Sequence, residues 1–307
     1  MKLGFLYAGQ GSQRPGMGAD LYREYAAFRA VFDGAEVDFD LKKLCFEDCG
    51  GLLDQTRYTQ PCMVAFAAGL TAVLAEKGIR PSVAAGLSLG EYSALQSAGV
   101  FDTATAVKLA AFRGKAMENA AEGVQSAMIA VLGLEREPLQ EVCKEASLLG
   151  VVSICNYNCP GQLVIGGEKA AVEKAAALAK EKGARRCLPL RVSGPFHTAL
   201  MAPAGKALQE KFREISFQTP RIPVIFNCLG GTNTENIPIS DLLVRQVQSS
   251  VYMEDSIRAM AAMGVDALVE IGPGTALTGF AKKIAPQLPC YPVETAEQVE
   301  ALVKELC

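Results

Sequence analysis

Gly86-Leu87-Ser88-Leu89-Gly90 is a G-x-S-x-G pentapeptide, the pattern of a serine held on a sharp turn between a strand and a helix with its hydroxyl exposed for attack. A serine hydroxyl is a weak nucleophile at neutral pH and needs an adjacent base, most often histidine. The 307-residue chain has one histidine, His197, so a Ser-His dyad can be written in only one way. With 29 glycines the pentapeptide can arise by chance, and its context decides. Gly78-Ile-Arg-Pro81 breaks the chain and Ser82-Val-Ala-Ala85 is a short apolar run, read as a buried strand. Glu91–Ala98 reads as a helix ending near Gly99. Strand, pentapeptide and helix are the order that a nucleophile elbow requires.

His197 lies in Val192-Ser-Gly-Pro-Phe-His-Thr198, where Gly and Pro mark a loop. A lone histidine is more often a surface residue without a task; the matching serine favours a general base. A third group normally sets the imidazole tautomer. Asp241, Glu254, Asp255 and Asp266 all follow His197, but an amide or a backbone carbonyl serves equally, and that place stays open. Arg113 falls in a stripe with Ala106, Leu109, Ala116 and Ala120 on a helix expected from Thr103 to Ala121, N-capped by Asp102. Burying a guanidinium without a partner costs several kcal/mol, so Arg113 must snorkel, meet an internal Asp or Glu, or hold an anionic ligand in its planar fork. Gly9-Gln-Gly-Ser-Gln13 follows the first apolar run, Leu3–Ala8. A free backbone N–H there, with that of Leu89, could form an oxyanion hole.

The elements around these residues alternate. A strand at 3–8, a helix at 19–32, a long buried helix at 61–77 starting with Pro61, the elbow and the helix from Thr103 predict a mostly parallel sheet covered by helices. Residues 126–192 have another rhythm: strand 127–132, helix 136–148, strands 151–156 and 162–165 around Asn158-Cys-Pro-Gly161, helix 168–182 and strand 185–191. That β-α-β-β-α-β order is the ferredoxin-like unit, and it reads as an insertion between core segments 1–125 and 193–307. Apolar strands at 223–227 and 267–271 follow, the second leading through Gly272-Pro-Gly274 into a helix to about Ile284.

Half the residues are hydrophobic, 21% are charged and the net charge is −3, which fits a globular chain and argues against nucleic acid as a ligand. No apolar run predicts a bilayer span, and a cytoplasmic protein is expected. The ten cysteines include no C-x-x-C, only the pairs Cys45/Cys49 and Cys155/Cys159. With one histidine, reduced thiols are expected and neither metal nor cofactor.

Gly9–Gln13, Gly86–Glu91, Arg113-Gly-Lys115, Asn158–Gln162, Pro195-Phe-His197, Leu243–Gln246 and Glu270–Gly274 each carry little alone. In that order, spanning nearly the whole chain, they closely resemble the malonyl-CoA:acyl carrier protein transacylases of bacterial fatty-acid synthesis. The resemblance implies a hydrolase-like α/β core with a ferredoxin-like insert. It implies malonyl-CoA as substrate, Ser88 as the acylated residue, His197 as base and Arg113 as the clamp on the malonyl carboxylate. It also implies an oxyanion hole from the N–H groups of Gln10 and Leu89, and a histidine oriented by a main-chain carbonyl near Tyr252. Phe196 would disfavour an α-methyl branch, and Asn158 would lie near the substrate. The partner would be an acyl carrier protein. Because such carriers are acidic, a local basic surface is needed, and Lys180, Lys182, Arg185, Arg186 and Arg191 form the densest stretch beside the insert. Two departures stand out: Leu87 where many members have histidine, and Ala8 in place of a common proline. The same dyad also suits a serine esterase or thioesterase, a transacylase of other acyl preference, or, without catalysis, a carrier-binding module.

Overall fold

A computed structural model describes residues 1–47 and 50–306; Cys49 of the Cys45/Cys49 pair lies outside them. Four strands, β1 (Leu3–Tyr7), β2 (Val83–Gly86), β9 (Ala267–Ile271) and β10 (Cys290–Val293), form a parallel sheet in the order β10-β9-β1-β2. Strands β1, β2 and β9 are buried at every position, as expected of parallel strands covered on both faces. A second, wholly antiparallel sheet has the order β4-β5-β3-β6, from β3 (Ser126–Leu132), β4 (Val152–Cys159), β5 (Gln162–Glu168) and β6 (Arg186–Pro189). Helices Arg136–Ala146 and Lys169–Glu181 complete the β-α-β-β-α-β unit, which carries a hydrophobic cluster of its own around Val131, Leu139, Ile165 and Val172. A two-residue pairing of β7 (Ile225–Phe226) with β8 (Gly231–Thr232) lies beside β2, where Val224 bridges to Ala84.

The helix expected from 19 to 32 is two helices, Ala19–Glu24 and Ala26–Asp33, because Tyr25 is extended and breaks the run. The long central helix begins at Thr56, not Pro61, and runs to Glu76. Pro61 stands inside it, where its missing N–H costs one intrahelical bond. This helix is long and apolar enough to cross a membrane, but most of it is buried within the protein. It packs against the helix Thr103–Ala121, whose start is capped as expected: the Asp102 carboxylate accepts from the Thr105 N–H at 2.8 Å. Together they bring Gln60 and Arg113 to one place.

Candidate active site

The elbow forms because the chain must turn sharply between β2 and the helix Gly90–Ser97. Ser88 takes φ of 54°, a left-handed conformation that a side chain adopts only under constraint. The flanking glycines are sterically required. A Cβ on Gly86 would overlap the backbone of Gly90, and one on Gly90 would overlap the Tyr7 carbonyl. Any larger residue would push the turn off the sheet.

His197 reaches Ser88 from the loop that follows β6. Its Nε2 lies 2.6 Å from Ser88 Oγ, and its Nδ1 lies 2.9 Å from the carbonyl oxygen of Gln246. A carbonyl can only accept, so Nδ1 carries the proton and Nε2 accepts from the serine hydroxyl. The place of the third group is therefore filled by a main-chain carbonyl, but not near Tyr252. Tyr252 instead donates its N–H to the Asn227 carbonyl and stacks its ring on Tyr157. His197 is itself left-handed, at φ of 62°, and Thr198 steadies the loop by donating to the Pro195 carbonyl. Burial and then the nearby Arg113 charge hold the imidazole down at about 4, so it is a free base at neutral pH.

Arg113 is fully buried. Its Nη1 donates to Gln60 Oε1 at 2.9 Å, and its Nη2 donates to Gln246 Oε1 at 3.0 Å and to Ser88 Oγ at 3.2 Å. All three acceptors are amide or hydroxyl oxygens, none a carboxylate, so the internal ion pair weighed for it is not formed. Its Nε has no acceptor among the described residues. Glu91, also fully buried, lies near enough to feel its charge, but burial pushes that carboxyl up to about 8, so it stays largely protonated at neutral pH and leaves the cation unneutralised. A buried cation that touches Ser88 Oγ and hydrogen-bonds no carboxylate among the described residues can receive an anionic group.

Ser88 and His197 open onto a cleft of about 610 Å³ lined also by Gln10, Gln60, Met117, Asn158 and Phe196, with Arg113 buried behind Ser88 and Gln60. Asn158 lines the cleft and carries a buried Oδ1 with no partner among the described residues. Gln10 sits just beyond β1, its side chain held by Thr56 and Gln60. The N–H of Leu89 stands at the start of the helix Gly90–Ser97, where the helix dipole favours negative charge. The Ser88 N–H is taken by Asn227 Oδ1 at 2.6 Å, leaving Leu89 as the elbow's donor. Sequence reasoning did not single out Gln60 or Asn227. Gln246, the last residue of the Leu243–Gln246 motif, serves His197, Arg113 and the Ser88 carbonyl at once.

The chain matches the acyl transferase domain family over residues 4–303. It belongs to that family. The malonyl CoA-acyl carrier protein transacylase of Bacillus subtilis is 39% identical over 99% of this chain and 97% of its own length. The solved transacylase of the same name from Clostridium perfringens superposes with a TM-score of 0.96 at 39% identity, covering 100% of this chain and 97% of that one. A malonyl-transacylase solved with the holo acyl-carrier protein of a type II PKS gives a TM-score of 0.94 at 37% identity, over 99% of this chain and all of that one. Within the acyl transferase fold, the parallel sheet is the hydrolase-like core, as the resemblance implied.

Proposed function

We propose that this chain moves the malonyl group of malonyl-CoA to the phosphopantetheine thiol of an acyl carrier protein through malonyl-Ser88. The observation that carries this reading is the buried Arg113 guanidinium, which hydrogen-bonds no carboxylate among the described residues and donates directly to the Ser88 hydroxyl. An esterase for neutral acyl chains has no use for a buried cation there.

In the acylation step His197 Nε2 takes the Ser88 proton as Oγ bonds to the thioester carbon. The carbonyl oxygen gains negative charge and is received by the N–H groups of Gln10 and Leu89. Collapse breaks the C–S bond, and the imidazolium returns its proton to the departing CoA thiolate. The carrier thiol then repeats the sequence in reverse roles. Arg113 holds the free carboxylate of the malonyl group throughout, and the Phe196 ring crowds the carbon between the two carbonyls. Every proton and electron pair is handled by these side chains and the two substrates, so no cofactor enters. The division into core segments 1–125 and 193–307 and an insert at 126–192 belongs to the same reading, supported by the separate sheet and hydrophobic cluster of residues 126–189. A cytoplasmic location fits a chain whose long apolar helix is an internal one.

Intact-protein mass spectrometry after mixing with malonyl-CoA tests the proposal. One added malonyl mass, mapped to the peptide holding Ser88, is expected; an unmodified protein would refute the covalent route.

Arg113→Ala should reverse selectivity. Losing the ionic partner of a carboxylate in a closed site costs roughly 2–5 kcal/mol, so the malonyl-to-acetyl ratio of acylation rates should fall about 30-fold or more. Equal losses for both CoA esters would mark Arg113 as structural only.

The carrier should meet the basic end of the insert. Arg186 is exposed on β6, an edge strand, and Lys180 is exposed at the end of the helix Lys169–Glu181, whereas Lys182 is engaged by Glu141 at 3.1 Å. Reversing Lys180 and Arg186 to Glu is expected to raise the KM for the carrier several-fold at low ionic strength and to flatten its salt dependence. Acylation by malonyl-CoA should be unchanged in the same variant. An unaltered carrier KM would place docking elsewhere.

A further inference from the structure

Asn227, fully buried just after β7, spans the nucleophile turn with a single amide. Its Oδ1 accepts from the Ser88 N–H at 2.6 Å, and its Nδ2 donates to the Gly86 carbonyl at 2.7 Å. The side chain thus ties the last residue of β2 to the nucleophile and closes a ring across Leu87. Its backbone is held just as firmly. The Asn227 N–H donates to Glu91 Oε2 at 2.5 Å, and its carbonyl accepts from the Tyr252 N–H at 2.9 Å. Glu91 is fully buried on the helix that the elbow opens, so the clamp is anchored on both sides of Ser88. Asn227 does not line the cleft and both polar atoms of its side chain are engaged by the turn itself, so its reach to the reaction runs through Ser88.

We propose that Asn227 is a positioning residue that fixes the left-handed Ser88 turn and thereby aims Oγ at the reacting carbon. The proposal rests on Ser88 being the nucleophile. The amide suits the task because it presents an acceptor and a donor side by side and carries no charge at any pH the protein meets. With both ends engaged it cannot flip without facing two like dipoles. A left-handed serine persists only while its surroundings over-determine it, and these two bonds act at the strained residue itself. Releasing them lets the turn relax, and a displacement of about 1 Å at a reacting group can cost about 100-fold in rate.

The test compares Asn227→Ala, Asn227→Asp and Ser88→Ala in the full chain, with melting temperature recorded for each. Two Ser88 reagents are used: malonyl-CoA and phenylmethylsulfonyl fluoride, which has no carboxylate for Arg113. Asn227→Ala is expected to lower the acylation rate at saturating malonyl-CoA 10- to 100-fold, with KM unchanged, and to lower sulfonylation by the same factor. Asn227→Asp keeps the acceptor for Ser88 and the volume of the side chain but loses the amide donor to Gly86. It should recover part of both rates, and it carries the comparison with wild type if the Ala variant does not fold. Wild-type labelling by both reagents in a folded Asn227 variant would overturn the proposal. A loss confined to malonyl-CoA would also overturn it, by placing Asn227 in acyl recognition. Labelling that survives in Ser88→Ala would instead refute the nucleophile assignment, a separate failure.

Discussion

Ser88→Ala is expected to leave no malonyl adduct on the protein and to lower transfer to the carrier by on the order of 10⁶, the scale seen when a serine enzyme loses its nucleophile. The hydroxyl has no understudy in the site. Thr198 is committed to the Pro195 carbonyl, while Ser193 shares a hydrogen bond with Thr56. Binding should survive. Arg113, Gln60 and Gln246 remain in place, and Arg113 Nη2, relieved of its bond to Ser88 Oγ, gains a free donor for the malonyl carboxylate. Calorimetry on Ser88→Ala should therefore give a Kd for malonyl-CoA equal to or below the substrate affinity of the wild type. An adduct that persists in this variant would put the nucleophile elsewhere. A large loss of affinity would mean that the serine, not the arginine, organises the acyl pocket.

Ser88, His197 and Arg113 were legible because each breaks its local pattern. A serine between paired glycines, the only imidazole and a cation in an apolar stripe are all visible in one dimension. The β-α-β-β-α-β order of the insert was legible for a similar reason, since its strands and helices are separated by short turns. The amides were not legible. Gln60, Asn227 and Gln246 act across 53, 139 and 133 positions of chain, on Arg113, Ser88 and Arg113 respectively, and an uncharged amide in a helix or loop carries no spacing signature. Nor can sequence identify the carbonyl that orients His197, because every residue has one; only the packing of the helix Ile239–Val247 selects Gln246 over the neighbourhood of Tyr252. Element ends failed where tertiary structure overrode local preference. Tyr25 splits one expected helix, and Pro61 is carried inside another because the surrounding core holds that helix on every side.

His197→Ala is expected to slow acylation of Ser88 by about 10²–10⁴, the usual worth of a positioned general base. The size follows from how completely the imidazole is prepared. Its tautomer is set by the Gln246 carbonyl, and its Nε2 already accepts from the Ser88 hydroxyl at 2.6 Å. Its protonation state is set as well. Burial and then the Arg113 charge lower the pKa from about 6.5 to about 4, and a base works only in its unprotonated form. The sign of the shift therefore predicts that acylation holds nearly constant from pH 7 down to pH 5 and fails below, as His197 protonates near pH 4. An ordinary exposed histidine would lose half its activity near pH 6.5. The two measurements bind each other. In His197→Ala the residual rate should show no acid limb near pH 4, because the group responsible is gone. If the wild-type limb lies near pH 6.5, the imidazole is hydrated in the working enzyme and the closed site shown here is not the one that reacts. If His197→Ala acylates at the wild-type rate, Ser88 is activated by another route, and among the described residues the only charged group touching its hydroxyl is Arg113.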